Sequence, residues 1–301
     1  MPRTRPRHRP DLQPLAAKVP EIVVMFWVLK VLTTGMGESM SDYLGSVSVP
    51  LAGLIGIGGL WFALRLQLRT REYRAPAYWF AVMMVAVFGT MAADGLHDGT
   101  SAPYPVTVTI YGLLVAAVFT AWYRSERTLS IHTINTRRRE LYYWAAVFAT
   151  FALGTALGDF TATTLNLGYL DSALLFAALI SIPALAWWRL NLNPVVAFWS
   201  AYILTRPLGA SFADWFGKPP SISGLGLGDG TVSAIALVVF VALVAYVAVG
   251  KRDVQGVAGE LAPARQPHAH PHLHPHLPAL PHAESQTLGE DAALQGSPAD
   301  G

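Results

Sequence analysis

Four aspartates recur in one setting in this sequence, and that recurrence marks the residues best placed to do chemistry. They close four 16-residue blocks that align without gaps: 27-WVLKVLTTGMGESMSD-42, 79-WFAVMMVAVFGTMAAD-94, 144-WAAVFATFALGTALGD-159 and 199-WSAYILTRPLGASFAD-214. Each block starts with Trp (Trp27, Trp79, Trp144, Trp199), has Gly ten residues on (Gly37, Gly89, Gly154, Gly209) and ends with Asp (Asp42, Asp94, Asp159, Asp214). In the first block Lys30, Thr34, Glu38 and Asp42 fall at i, i+4, i+8 and i+12, a polar stripe along one face of a helix. The equivalent stripes are Val82, Ala86, Thr90, Asp94; Val147, Phe151, Thr155, Asp159; and Tyr202, Arg206, Ala210, Asp214.

Such charges inside apolar helices face the protein interior, pair with one another and mark ion or proton pathways. The five carboxylates Glu38, Asp42, Asp94, Asp159 and Asp214 exceed the two cations Lys30 and Arg206 by three formal charges, which a divalent metal ion or partial protonation relieves. These seven residues form the candidate ion site. The competing structural reading has each Asp capping the turn into the next loop through backbone N–H groups. The Gly residues pair with Ser41, Ala93, Gly158 and Ala213 four positions on, the small-xxx-small spacing of closely packed helices. The four tryptophans read as interfacial anchors at headgroup depth, with ligand stacking as the alternative.

The elements that must position these residues are membrane helices. Of the 301 residues 53% are hydrophobic and only 13% charged, roughly half the charged share of a soluble domain. Eight apolar stretches, approximately 20–41, 50–66, 76–93, 104–123, 141–158, 171–188, 194–213 and 231–250, read as transmembrane helices. Of the 21 Lys and Arg, 18 fall in the two terminal segments and the loops after spans 2, 4 and 6; the alternate loops hold only Lys218. The positive-inside rule then places both termini in the cytoplasm. A signal peptide is a poor reading of the first span, which carries charges and matches three later segments.

The predicted fold is therefore an all-α integral membrane protein of eight helices, arranged as four parallel two-helix repeats over 19–72, 73–126, 137–190 and 192–250. A basic cytoplasmic segment, 1–18, precedes the membrane domain 19–250, and a His- and Pro-rich cytoplasmic tail, 251–301, follows it and reads as disordered. Each Asp lies ~22 Å along its helix from the Trp, so the four carboxylates are expected at one depth near the outer face.

The segment 18-KVPEIVVMFWVLKVLTTGMGESMSDYL-44, with the four Trp-to-Asp blocks, resembles a bacterial family of membrane-anchored proteins of unknown function built from four tandem two-helix repeats. The resemblance covers residues 18–250. It implies the architecture and a bacterial plasma membrane, and carries no activity.

Other features are weaker. In 94-DGLHDG-99, His97 and Asp98 could ligate a metal, but a solvated polar turn just outside the span is the simpler expectation. The stretch 224-GLGLGDG-230 lacks the Lys-Ser/Thr of a phosphate loop and reads as a flexible connector or re-entrant turn. Arg206-Pro207 is expected to distort the seventh span. In the tail, His268, His270, His272, His274 and His276 could bind a transition metal, as clustered imidazoles do. The chain has no cysteine, and no nucleophile–base pair, nucleotide motif or haem ligand pair is visible, so an enzyme is not expected. The reading that emerges is a transporter or exporter of a small cation, a divalent metal or one coupled to protons. Its partner is the lipid bilayer, with no nucleic acid, and the sequence leaves its oligomeric state open. The rival is a non-transporting scaffold or sensor in which the Gly/Asp motif serves packing and capping alone.

Overall fold

In the computed structural model, residues 17–250 and Asp253 are described; the His tract of the tail lies outside them. The described residues contain eight α-helices and no strand: α1 Val24–Val47, α2 Val49–Arg69, α3 Ala75–Thr100, α4 Tyr104–Glu126, α5 Arg137–Asp159, α6 Gly168–Leu190, α7 Pro194–Gly217 and α8 Asp229–Gly250. Local chemistry sets many of the boundaries. Proline occupies the first turn of α2, α3, α4 and α7, where its missing N–H costs nothing. Thr136 and Asn193 cap α5 and α7 with side-chain oxygens. Ser101, Arg127 and Asn191 end α3, α4 and α6 in the left-handed conformation.

Six of the helices, α2 to α6 and α8, are long and apolar enough to cross a membrane. This is a multi-pass helical membrane protein. The other two, α1 and α7, have 24 residues each but carry the intrahelical charges Lys30, Glu38, Asp42, Arg206 and Asp214.

The odd-numbered helices form an inner ring in which α1 contacts α3, α3 contacts α5, α5 contacts α7 and α7 returns to α1. The even-numbered helices lie outside it. Each packs mainly on the helix that follows it: α2 on α3, α4 on α5, α6 on α7, and α8 back on α1. Contacts within each hairpin, such as α3 with α4 or α5 with α6, are much sparser. The outer helices expose Leu54, Ile57, Trp61, Leu113, Leu174, Trp188 and Val238, an apolar surface that lipid must cover.

The motif glycines are where the inner helices meet. A methyl group added at Gly37 of α1 would overlap Ala86 Cβ of α3, and one at Gly89 of α3 would lie 2.9 Å from Phe151 Cβ of α5. One at Gly154 of α5 would overlap the stem of Arg206 in α7, and one at Gly209 of α7 would overlap the Thr34 side chain of α1. Ala86, Phe151, Arg206 and Thr34 all stand seven residues after their repeat tryptophan. One contact is thus repeated four times and closes on itself, bringing inner helices together as small residues do in lipid.

The tryptophans are placed differently from the interfacial expectation. Trp79, Trp144 and Trp199 are buried inside the bundle, and Trp27 is half-buried. They pack with Phe26, Tyr78, Tyr143 and Phe198, one aromatic residue directly before each Trp, in edge-to-face and tilted contacts. Packing between neighbouring helices replaces exposure to headgroups: Trp79 meets Phe26 of α1, Trp144 meets Tyr78 of α3, and Trp199 meets Phe119 and Trp122 of α4. Trp199 Nε1 donates to Leu129 O at 2.9 Å, and the Tyr78 and Tyr143 hydroxyls pair at 2.5 Å.

Both ends of the described chain and the loops after α2 and α4 gather at this tryptophan end. Glu21 N donates to Asp253 O at 2.8 Å, Lys18 N to Ile134 O at 3.1 Å and Tyr73 N to Ala17 O at 3.1 Å. Lys18 Nζ also meets the buried Glu140 carboxylate at 2.6 Å. Gly37→Ala, which must push α1 from α3, is expected to destabilise the protein by about 1–3 kcal/mol. Gly58→Ala, on exposed α2 with open space around it, should be neutral or slightly stabilising. Thermal unfolding in detergent, followed by size-exclusion chromatography of the surviving fraction, reads both.

Candidate functional site

The stripe with period four lines the axis of the inner ring in layers. Nearest the tryptophans come Lys30, Val82, Val147 and Tyr202; next Thr34, Ala86, Phe151 and Arg206; next Glu38, Thr90, Thr155 and Ala210. All twelve are buried. A period of four exceeds the 3.6-residue turn, so the stripe winds slowly round each helix and the helices must cross to keep it inside.

The middle of the axis is closed by an ion pair. Arg206 Nη2 donates to Glu38 Oε2 at 2.5 Å, and both side chains are almost wholly buried. The same nitrogen donates to Thr155 Oγ1 at 2.7 Å and to Thr90 Oγ1, while Nη1 donates to the Thr34 carbonyl. The Thr90 and Thr155 hydroxyls approach Glu38 Oε2 at 3.2 and 3.4 Å. All four inner helices therefore contribute to one network. Arg206 reaches past its own layer to do so, because the residue opposite, Gly154, has no side chain to block its stem.

Lys30 is not in this network. Its ammonium sits 3.9 Å from the Phe151 ring centroid and 4.3 Å from that of Tyr202, with no hydrogen-bonding partner. Aromatic faces stabilise a cation where no carboxylate is in reach. The expected counter-charge role thus falls to Arg206, and Lys30 lies below the closure.

On the far side of the Arg206–Glu38 pair the axis opens into a cavity of about 970 Å³. Glu38, Asp42, Asp94, Asp159 and Asp214 all line it. Carboxylate oxygens of Glu38, Asp42 and Asp214 lie within 4.8 Å of one another, a set that could hold a metal ion. None of the four repeat aspartates accepts a hydrogen bond from the backbone that follows it among the described residues. Their helices run on instead: α1 to Val47, α3 to Thr100, α5 into a π-turn over Phe160–Thr164 and α7 to Gly217. The carboxylates face the axis because the period-four stripe carries them there.

Two cavity residues were not among the sequence candidates. Lys218, the residue after α7, places its ammonium 2.5 Å from Asp42 Oδ2, 3.3 Å from Asp229 Oδ2 and 3.9 Å from Asp214 Oδ1. Burial opposes the Lys218 charge, but Asp42, Asp214 and Asp229 outweigh it and raise its pKa above the ordinary lysine range. One signal for Lys218 was present in the sequence: it is the sole cation in the loops on its side. Asp229 opens α8, and its Oδ1 is buried and unpartnered.

The Gly-rich stretch before Asp229 is not a free connector. Leu225 N, Leu227 N and Gly228 N donate to the Trp215, Phe216 and Gly217 carbonyls at 2.6, 3.0 and 3.0 Å, folding the loop back on the end of α7. Gly226 and Gly228 take positive φ there, which only glycine adopts freely. Residues 94–99 likewise differ from a solvated turn, since α3 continues through them. His97 stacks on Tyr104 at 3.9 Å between centroids and bonds the Ala102 carbonyl at 2.7 Å through Nδ1. Its nearest carboxylate contact, Asp98, is 4.0 Å away, so these two residues line the cavity rim without forming a metal-ligand group. α7 runs unbroken through Pro207.

Segments 77–128, 142–192 and 197–253 match the family described as Repeat of Unknown Function (DUF347), and together they make up just over half of the chain. The chain belongs to this repeat family. The matched segments correspond to the second, third and fourth units, while the first, with its additional charges, occupies the equivalent place in the ring. No curated protein and no solved structure matches the chain.

Removing one partner of the central pair should be costly. Arg206→Met leaves Glu38 buried without a counter-charge and is expected to lower stability by about 3–5 kcal/mol. Glu38→Leu combined with Arg206→Met should recover most of that loss, because burying a charge alone is the larger penalty. Denaturation of both variants in the same detergent checks the difference.

Proposed function

We propose that the protein is a cation transporter or exporter rather than an enzyme, with eight spans, both termini cytoplasmic, in a bacterial plasma membrane. The observation that carries this reading is the convergence of four repeat-equivalent aspartates and Glu38 on one cavity. Seven carboxylates line the cavity, counting Asp229 and the rim residue Asp98, against Lys218 within it and Arg206 at its closed end, leaving five formal negative charges for a bound cation or protons to offset. The basic residues of the opposite end support a vestibule facing outward. All-oxygen donors favour a hard divalent ion such as Mg²⁺, Mn²⁺ or Ca²⁺ over a thiolate-seeking metal.

Transport requires the Arg206–Glu38 closure to open. A second cavity, of about 700 Å³, reaches Val31 and Thr205 at the seam between α1 and α7 from the tryptophan end. That cavity lies beside the ring, against α6, and the closure joins α1 and α7, the two helices whose separation would connect it with the acidic cavity. In this proposal the Asp site binds the cation, and movement at the α1–α7 seam passes it on.

A second reading, a membrane scaffold or sensor, draws on the four Gly contacts, which serve packing whatever the carboxylates do. The two readings separate experimentally. Asp42, Asp94, Asp159 and Asp214 are replaced singly by Asn, and cellular metal content and metal tolerance are followed at matched levels of inserted protein. Transport predicts a cation-specific change of at least about threefold in content for one or more variants. Unchanged content and tolerance in all four would overturn it, and reduced insertion alone would favour the scaffold.

A further inference from the structure

We infer that Lys218 is a tethered cation that occupies the carboxylate site and must be displaced toward Asp229 when a free cation binds. This rests on the proposed cation site and specifies its regulation. The Lys218 ammonium is held most closely by Asp42 and more loosely by Asp214, two of the three residues whose oxygens converge with Glu38. An ion entering that trio needs oxygens that the ammonium now neutralises, so the two compete for the same negative charge.

The structure also offers the lysine somewhere to go. Asp229 Oδ2 already lies 3.3 Å from Nζ, and the other oxygen of that carboxylate is buried without a partner. Asp229 stands in the first turn of α8, where the helix dipole attracts negative charge. Lys218 and Asp229 sit at the two ends of the loop that is pinned back on α7, so neither the loop nor α7 has to unfold for a side-chain swing between them. The remaining groups facing the ammonium are Glu38, Asp159 and Tyr169 across the cavity; the nearest fixed cation, Arg206, is already engaged by Glu38. With Lys218 on the trio the site is filled by the protein itself. With Lys218 on Asp229 it is open to a diffusible cation of the same charge sign.

The test is Mn²⁺ binding to the full-length protein in detergent, read by loss of the free-ion electron paramagnetic resonance signal. Lys218→Gln should bind Mn²⁺ about tenfold or more tightly than the parent, and Lys218→Arg should stay near it. Asp229→Asn, which removes the alternative seat, should bind about tenfold more weakly. In the Lys218→Gln, Asp229→Asn double variant the Asp229 effect should vanish, because no lysine remains to be seated. Purely additive effects in the double variant, or equal affinity of Lys218→Gln and parent, would overturn the displacement while leaving the site itself intact if Asp42→Asn still weakens binding. No Mn²⁺ binding in the parent or in Lys218→Gln would remove both. A Lys218 that merely holds the fold predicts weaker binding and lower thermal stability for Lys218→Gln, the opposite sign.

Discussion

The rest of the molecule depends on one buried ion pair, Arg206 with Glu38. Two charges taken out of water cost several kcal/mol each, and attraction offsets this only where geometry is good and the remaining donors and acceptors are met. Here the guanidinium also reaches Thr90, Thr155 and the Thr34 carbonyl, so each inner helix supplies a polar partner. The pair links the first and last units of the chain, 168 residues apart, across the seam where a tandem array would otherwise stay open. Its specificity is topological: an arrangement that moved α7 away from α1 would leave both charges without each other inside apolar helices.

Around that pair the protein combines symmetry with deliberate departures from it. The Gly contacts, the paired aromatics and the aspartates recur in every unit, and they build the frame, the tryptophan-end core and the acidic vestibule. Lys30, Glu38, Arg206 and Lys218 occur once each. Unique charges on a repeated frame give the axis a direction, closed at the middle and open at the aspartate end. The even helices reinforce this order by packing on the next unit rather than on their own, so every unit is held by its successor and α8 returns to cover α1. Such interlocking makes the ring, rather than the hairpin, the folding unit.

Much of this was legible in the residues. The recurrence of the Trp–Gly–Asp blocks marks four units, and the i+4 stripe names the inner-helix residues of each layer along the axis, because a helix fixes which side chains share a face. The aromatic residue before each Trp (Phe26, Tyr78, Tyr143 and Phe198) is equally visible in the sequence. What the pattern did not carry was which neighbour each face would meet. The tryptophans read as interfacial because amphipathic rings near basic loops usually are; their burial follows from aromatic partners on neighbouring helices, which no local spacing reveals. The alternative reading of the aspartates as caps rests on their ending each block, yet the helices continue past them.

The sequence by itself determined that this is a helical membrane protein of repeated units, since composition, hydrophobic length and spacing are local properties of the chain. It also determined that carboxylates and two cations lie within apolar helices. Only the tertiary structure decided their pairing: Arg206 closes on Glu38, Lys30 rests on aromatic faces, and Lys218 enters from a loop to meet Asp42. Pairing is decided by distances across the ring, where charges 168 and 176 residues apart in the chain meet and compete for few partners in a low-dielectric interior. No local spacing encodes that competition.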